Sequence, residues 1–196
     1  MDVARSLLVG VAAFLCMEPV TAVLHRHLFH GPGRILHRSH HRATSHGWEA
    51  NDVYPVIFAA VTISAMAVGT WRPGLGALVA IGAGVTAYGA TYALVHDLYI
   101  HRRVPLLPER VVVLEPLREA HRIHHLYGQA PYGMLAPVVP KDLRARAAAM
   151  LASGDRGHGS RARTTSRDRA GRGNVAEAAT ANFRASGTRA RVEKTS

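Results

Sequence analysis

Residues 75–101 read LGALVAIGAGVTAYGATYALVHDLYIH. The stretch from Leu75 to Val95 carries no charged side chain, and its length is about the ~20 residues that a helix needs to cross a hydrocarbon core. A soluble helix rarely stays apolar on every face for so long. Working outward, Ser6–Leu24 and Val53–Trp71 are two further apolar runs of similar length. The second and third are parted only by Arg72-Pro73-Gly74, a tight hairpin. The expected fold is therefore all-α, an integral membrane helical bundle with three to four transmembrane helices. The first run is not read as a cleaved leader. Its basic flank is the single Arg5, and Glu18 and Pro19 interrupt it. Pro19 is expected to kink that helix.

The third run ends in a histidine pair, His96-x4-His101, and it is not alone. Ten of the thirteen histidines fall into four clusters: His25-x4-His30, His37-x2-His40-His41, His96-x4-His101 and His121-x2-His124-His125. A pair and then a triplet occur, and the same order repeats. Neutral imidazole is the commonest side-chain metal ligand, and a tetrahedral zinc takes only four. Ten histidines imply two metals. The chain crosses the membrane twice between the first two clusters and the last two, so all four return to one side. Arg26, Arg34, Arg38, Arg42, Arg102, Arg103, Arg110, Arg118 and Arg122 lie on that side, against Arg5 and Arg72 opposite. The positive-inside rule makes it cytoplasmic and puts the N-terminus outside.

The triplets stand at i, i+3 and i+4, which share one helix face. The pairs do not. Five residues carry a regular helix about 140° past a full turn, so both rings of a pair reach one ion only if the helix ends, kinks or bulges there. Metal-bound histidines usually donate their other N–H to a carboxylate or carbonyl. The carboxylates placed to accept are Asp97, Asp52 and Glu18, followed by Glu49 and Glu119. Glu18 lies seven residues before His25, on the same helical face, and a carboxylate within a span is a functional candidate. Tyr88, Tyr92 and His96 form one stripe, read as helix packing or a groove lining. Gly82, Gly84 and Gly89 are small residues suited to close helix contact. His27, His46 and His158 are surface histidines, and Cys16 is a small buried hydrophobe. With one cysteine, the chain by itself forms no disulfide framework and no iron–sulfur cluster.

Imidazole sites suit iron, copper, zinc and nickel alike, and spacing does not choose among them. A redox metal at a membrane surface fits attack on a C–H bond of a lipophilic substrate. Zinc has no redox chemistry. A metal transporter would instead hold its ligands near the midplane of broken helices.

The four clusters resemble those of the membrane fatty acid hydroxylase and sterol desaturase superfamily. The stretches His25-Arg-His-Leu-Phe-His-Gly31, Ser39-His40-His41, Asn51-Asp52-Val-Tyr54, Gly82-Ala-Gly-Val-Thr-Ala-Tyr-Gly89, Val95-His-Asp97 and Ala120-His-Arg-Ile-His-His125 are similar to the bacterial β-carotene 3-hydroxylase family. The resemblance covers about residues 10–140. It implies a non-haem di-iron monooxygenase that uses O2 and electrons from ferredoxin and ferredoxin reductase, or a similar donor. The substrate it implies is a carotenoid, hydroxylated at C3 of the β-ionone ring, so that β-carotene gives β-cryptoxanthin and then zeaxanthin. The alternative is another membrane lipid, a fatty acyl chain or sterol. The ligands carried over are the ten clustered histidines. The segment from Leu126 to Pro137 is shorter than the family's usual stretch.

Residues 1–140 are thus read as a membrane hydroxylase domain and 141–196 as a basic, largely disordered tail. Most of the net charge of +11 lies in that tail, which from about Ala152 has almost no large apolar residues. Val104–Leu117 is read as an interfacial segment leading to a helix around Glu119–His125, with a fourth span possible. A single aromatic residue, Phe183, interleaves the tail arginines and no nucleic-acid-binding fold is evident, so no nucleic acid is expected as partner.

Overall fold

A computed structural model describes residues 2–42 and 47–156. The described residues form helices, turns and irregular segments, with no strand among them. Helix α1, Val3–Leu24, opens on Asp2, whose carboxylate accepts the Arg5 N–H, and runs unbroken through Pro19. It continues into a wider turn, His25–Phe29. A short α2, Arg34–Arg42, carries the first triplet. A 3-10 turn, Ala50–Asp52, leads into α3, Val53–Trp71. Helix α4, Ala77–Ala93, continues into a second wide turn, Leu94–Ile100. Then come a 3-10 turn, Val112–Leu114, and the helices α5, Glu115–Tyr127, and α6, Lys141–Arg156.

Three of these elements, Val3–Phe29, Ala50–Trp71 and Ala77–Ile100, are long and apolar enough to cross a membrane. Their surfaces suit lipid. Helix α1 buries none of its residues, and Leu7, Leu8, Val11 and Leu15 on it, with Val56, Val61 and Ile63 on α3, are exposed. In water such a surface would be strongly unfavourable. Cys16 is likewise exposed on α1 rather than buried.

The described residues fall into two compact units. The first holds the chain up to His121 together with Pro131–Val138; the second holds Arg122–Ala130 and the chain from Val139. In the first, α4 packs against both α1 and α3, and glycines permit it. A Cβ on Gly84 would strike the Gly10 carbonyl and lie 2.9 Å from the Ala13 side chain on α1. A Cβ on Gly82 would strike Met66 on α3. Gly89 has nothing within 4 Å, so it takes no part in this packing. Between the wide turn of α1 and α2, Gly33 lies against Tyr54, whose hydroxyl donates to the Gly33 carbonyl at 2.8 Å. The Tyr54 ring stacks on Phe29, 4.1 Å away.

Residues 104–111 hold no helix, and no fourth span occurs among the described residues. Helix α5 begins at Glu115, earlier than the histidine triplet alone suggested. Pro116 is tolerated in its first turn, where amides lack helical partners anyway. Tyr99 holds this start: its hydroxyl donates to Glu115 and accepts the Val111 N–H at 2.9 Å, and Arg118 sits 4.0 Å over its ring.

In the second unit, residues 141–156 form α6 rather than the start of an unstructured tail. Alanines at 145 and 147–149 are strong helix formers, and Leu143 and Ala147 pack with Ile123 of α5. Arg146 lies over the Tyr127 ring at 4.7 Å. Residues 157–196, where the disorder was expected, lie outside the described residues.

Gly84→Leu should lower the melting temperature in detergent, at a cost of about 1–3 kcal/mol for overpacking a close contact. Gly89→Leu should leave it nearly unchanged. Equal melts for the two variants would contradict the close α1–α4 approach.

Candidate metal centre

The two histidine pairs reach common points because the helices widen beneath them. The His30 N–H bonds the His25 carbonyl at 3.0 Å, and the His101 N–H bonds the His96 carbonyl at 2.9 Å. Each is an i→i+5 bond, so residues five apart sit one above the other instead of 140° apart. The rings follow: centroids are 5.1 Å apart for His25 and His30, and 4.6 Å for His96 and His101. This is the departure from a regular helix that the spacing demanded.

Within the first unit the rings form two groups. His25, His30, His37 and His41 each offer a ring nitrogen within 4.8 Å of the others. His40, His96, His101 and His121 do the same. Helix α2 serves both groups, since His37 and His41 face one and His40 the other. Nε2 atoms lie 3.0 Å apart for His25 and His37, 3.2 Å for His41 and His37, 3.1 Å for His96 and His40, and 2.9 Å for His101 and His121.

These short nitrogen pairs are not ordinary hydrogen bonds, and the outer nitrogens show why. His25 Nδ1 lies 3.0 Å from the Tyr132 carbonyl oxygen. His40 Nδ1 lies 3.2 Å from Glu49 and His96 Nδ1 2.9 Å from Asp97. A carbonyl or carboxylate oxygen only accepts, so in each case Nδ1 carries the proton and Nε2 of the neutral ring is a bare lone pair. His37 Nδ1 has the Asn51 side-chain oxygen at 2.8 Å, with the same consequence. The lone pairs of His40 and His96 thus face each other at 3.1 Å, which repels unless a cation lies between. A first-row metal bonds imidazole nitrogen at about 2.0–2.1 Å. Nitrogens about 3 Å apart fit neighbouring positions on one such ion. The donor set fits a metal in both groups.

Burial disfavours the charged form of several rings. It lowers His37 from 6.5 to about 4, against a smaller opposing effect of Asn51. It lowers His101 well below its ordinary value, helped by His96 and Arg103. His30 is lowered by burial and then by the Arg34 charge. Burial also raises the Glu49 carboxyl, opposed by Arg103.

Among the expected carboxylates, Asp97 and Glu49 touch histidines, and Asp52 and Glu18 do not. Asp52 lies at the end of the tight Ala50–Asp52 turn. That turn points it back to the Glu49 N–H at 2.9 Å and onto Arg103, which donates to both its oxygens at 2.6 Å. Arg103 also reaches the Gly47 carbonyl at 2.7 Å and lies 3.9 Å from Asp97. It is placed by the chain's exit from the second wide turn, where Arg102 takes a left-handed φ of 51° and the Arg103 N–H bonds the Asp97 carbonyl at 2.9 Å. Glu18 accepts the Tyr88 hydroxyl at 2.6 Å and three amides of residues 134–136. Glu119 lies on α5. Tyr88 packs edge-on against Phe14 at 5.7 Å, and Tyr92 lies 4.8 Å from the His96 ring. His27 is exposed; His46 and His158 lie outside the described residues.

His124 and His125 belong to the second unit. His124 Nδ1 donates to the Gln129 carbonyl at 2.7 Å, again leaving the lone pair on Nε2. Gly128, with φ of 62°, closes α5 just before that carbonyl. Sequence reasoning missed Asn51, Arg103 and the carbonyls of Tyr132 and Gln129 as partners of the site. The Asn51-Asp52 stretch was a visible signal for the first; the carbonyls leave none.

Asp97→Ala and Asn51→Ala should each weaken metal binding roughly 10–100-fold, read by competition with a chelator. Unchanged affinity in both would mean these contacts do not orient the rings. The metal-free chain should also lose thermal stability as pH falls. In the unfolded chain His37 titrates near 6.5, and in the folded chain near 4. Between these values the unfolded state binds more protons, so stability is full above about pH 6.5 and declines toward about pH 4. His30 and His101 act in the same direction. A melting temperature that is flat across that window would refute it.

Comparison with known proteins identifies the family of the chain. The profile described as fatty acid hydroxylase matches residues 10–141. A protein named beta-carotene hydroxylase from Pseudescherichia vulneris is 39% identical over 144 residues, 70% of this chain and 80% of that one. One of the same name from Pantoea ananas is 42% identical over 111 residues, 56% of this chain and 62% of that one. A protein named beta-carotene 3-hydroxylase, chloroplastic, from Haematococcus lacustris is 36% identical over 140 residues, 68% of this chain and 44% of that one. No solved structure matches the chain significantly. The matched range contains every clustered histidine from His25 to His125, and the chain belongs to the fatty acid hydroxylase family.

Proposed function

We propose that this chain hydroxylates the β-ionone ring of carotenoids at C3, taking β-carotene to β-cryptoxanthin and then to zeaxanthin. The observation that carries the reading is the pair of converging histidine groups in a chain similar to proteins named beta-carotene hydroxylase. The metal is read as two iron ions, held by His25, His30, His37, His40, His41, His96, His101, His121, His124 and His125. Bound iron would supply the redox chemistry for inserting oxygen into an unactivated C–H bond. The reaction balances as substrate C–H, O2, two electrons and two protons giving C–OH and water. Ferredoxin with its reductase, or a similar carrier, would deliver the electrons.

The chain's own residues prepare the site. Asp97, Glu49, Asn51 and the Tyr132 carbonyl hold outer ring protons, so each Nε2 keeps its lone pair for metal. Arg103 ties the Asp52 turn, which carries Glu49 and Asn51, to the exit of the second wide turn. The histidines lie near or just past the ends of the apolar elements, and the arginines around them support a cytoplasmic location for this face by the positive-inside rule. A carotenoid is a rigid apolar rod that can stay in lipid while one ring end enters the site. The second ring requires release and turning, which predicts a free mono-hydroxylated intermediate.

A second reading is hydroxylation of a fatty acyl chain, favoured by the description of the matching family. Expression in a β-carotene-producing bacterium separates the two. The intact chain should yield β-cryptoxanthin and zeaxanthin, while His40→Ala and His124→Ala should insert in the membrane and yield neither. Unchanged β-carotene alongside membrane-inserted, metal-loaded protein and hydroxylated acyl chains would favour the second reading. Wild-type turnover in both variants would sink the histidine assignment.

A further inference from the structure

Glu18 stands within an apolar span, and none of its described partners is a histidine. One carboxylate oxygen accepts from the amides of Met134, Leu135 and Ala136, at 2.9, 3.1 and 2.9 Å. The other accepts from Leu135 again at 3.1 Å and from the Tyr88 hydroxyl at 2.6 Å. Three successive amides aimed at one carboxylate form an anion-holding concavity. Gly133 makes room for it, because a Cβ there would lie 2.5 Å from the carboxylate. One residue earlier, the Tyr132 carbonyl takes the His25 Nδ1 proton, and the Tyr132 ring lies 5.6 Å from His25 and 5.5 Å from His30.

Glu18 and His25 lie on one helix, seven residues and so about 10 Å apart along its axis. The segment 131–138 is therefore a strap fastened to α1 at two levels. Its lower fastening lies at span depth, where irregular backbone persists only if protein groups satisfy its amides. Ordinary packing of an apolar helix has no use for a carboxylate there. We propose that Glu18 is a positioning residue for the first metal centre. By gathering the 134–136 amides it fixes the Tyr132 carbonyl, which sets the tautomer and orientation of His25. The proposal rests on the reading of the histidines as ligands, but not on the substrate.

The test is cobalt(II) titration of the metal-free full chain purified in detergent, followed by visible absorption. His37→Ala and His96→Ala identify which signal belongs to which group. The parent should take two ions. Glu18→Ala should bind one ion as the parent does, and bind the one lost in His37→Ala roughly 10–100-fold more weakly. Glu18→Gln keeps one oxygen acceptor and should fall between; it carries the test if Glu18→Ala fails to accumulate. Parent-like affinity for both ions would overturn the proposal. Equal weakening of both would also overturn it, since that signals general loosening. A parent that takes no cobalt would overturn this proposal together with the ligand reading. A parent that takes two ions yet converts no carotenoid would overturn the substrate reading alone.

Discussion

The convergence of imidazole lone pairs on common points governs this structure. Neutral imidazoles whose outer nitrogens are engaged turn bare nitrogens toward one another at about 3 Å, as His40 and His96 do. Such a cluster does not assemble spontaneously in a flexible chain, because each ring would rotate away or take up a proton. It persists only if the rings are held by their far side. The far-side contacts are varied in kind: two carboxylates, a side-chain amide and a main-chain carbonyl. Two of these supports are held in turn, Asn51 by its N–H to the Ser39 hydroxyl and Glu49 by its N–H to Asp52.

Arg103 shows how far that support reaches. Its guanidinium closes on Asp52, accompanies Asp97 and takes the Gly47 carbonyl. One side chain thus joins the segment entering α3 to the exit of α4. A bidentate guanidinium–carboxylate pair fixes direction as well as distance, which a lysine would not do. The left-handed Arg102 before it aims the chain back to make this closure.

Much of this was legible in the sequence. Long apolar runs disclosed the three apolar elements, and the paired and tripled histidines disclosed a metal-ready site. The i+5 spacing even required a departure from helical geometry, which the widened turns provide. Asp97 was legible by adjacency to His96. Asp52 misled because nearness along a chain says nothing of which way a tight turn directs a carboxylate. Arg103 looked like one of many arginines marking a membrane face. The Tyr132 carbonyl could not be found, since every residue has one and only the tertiary path chooses among them. Residues 141–156 looked like tail because their charge outweighed a helix-forming alanine series whose apolar contacts are few.

The wide turns at His25–Phe29 and Leu94–Ile100 bear on how such a chain can change over time. Inside an ordinary helix, a substitution alters one surface patch and leaves the rest in place. Here ligand placement depends also on the number of residues between two rings. Some of the four positions inside each pair carry contacts of their own, as Phe29, Asp97 and Tyr99 do, but the count of four is common to both pairs. Losing or gaining a single residue there would swing one ring by about 100° and rotate everything beyond it. In this part of the chain the fold constrains a length as well as a spelling.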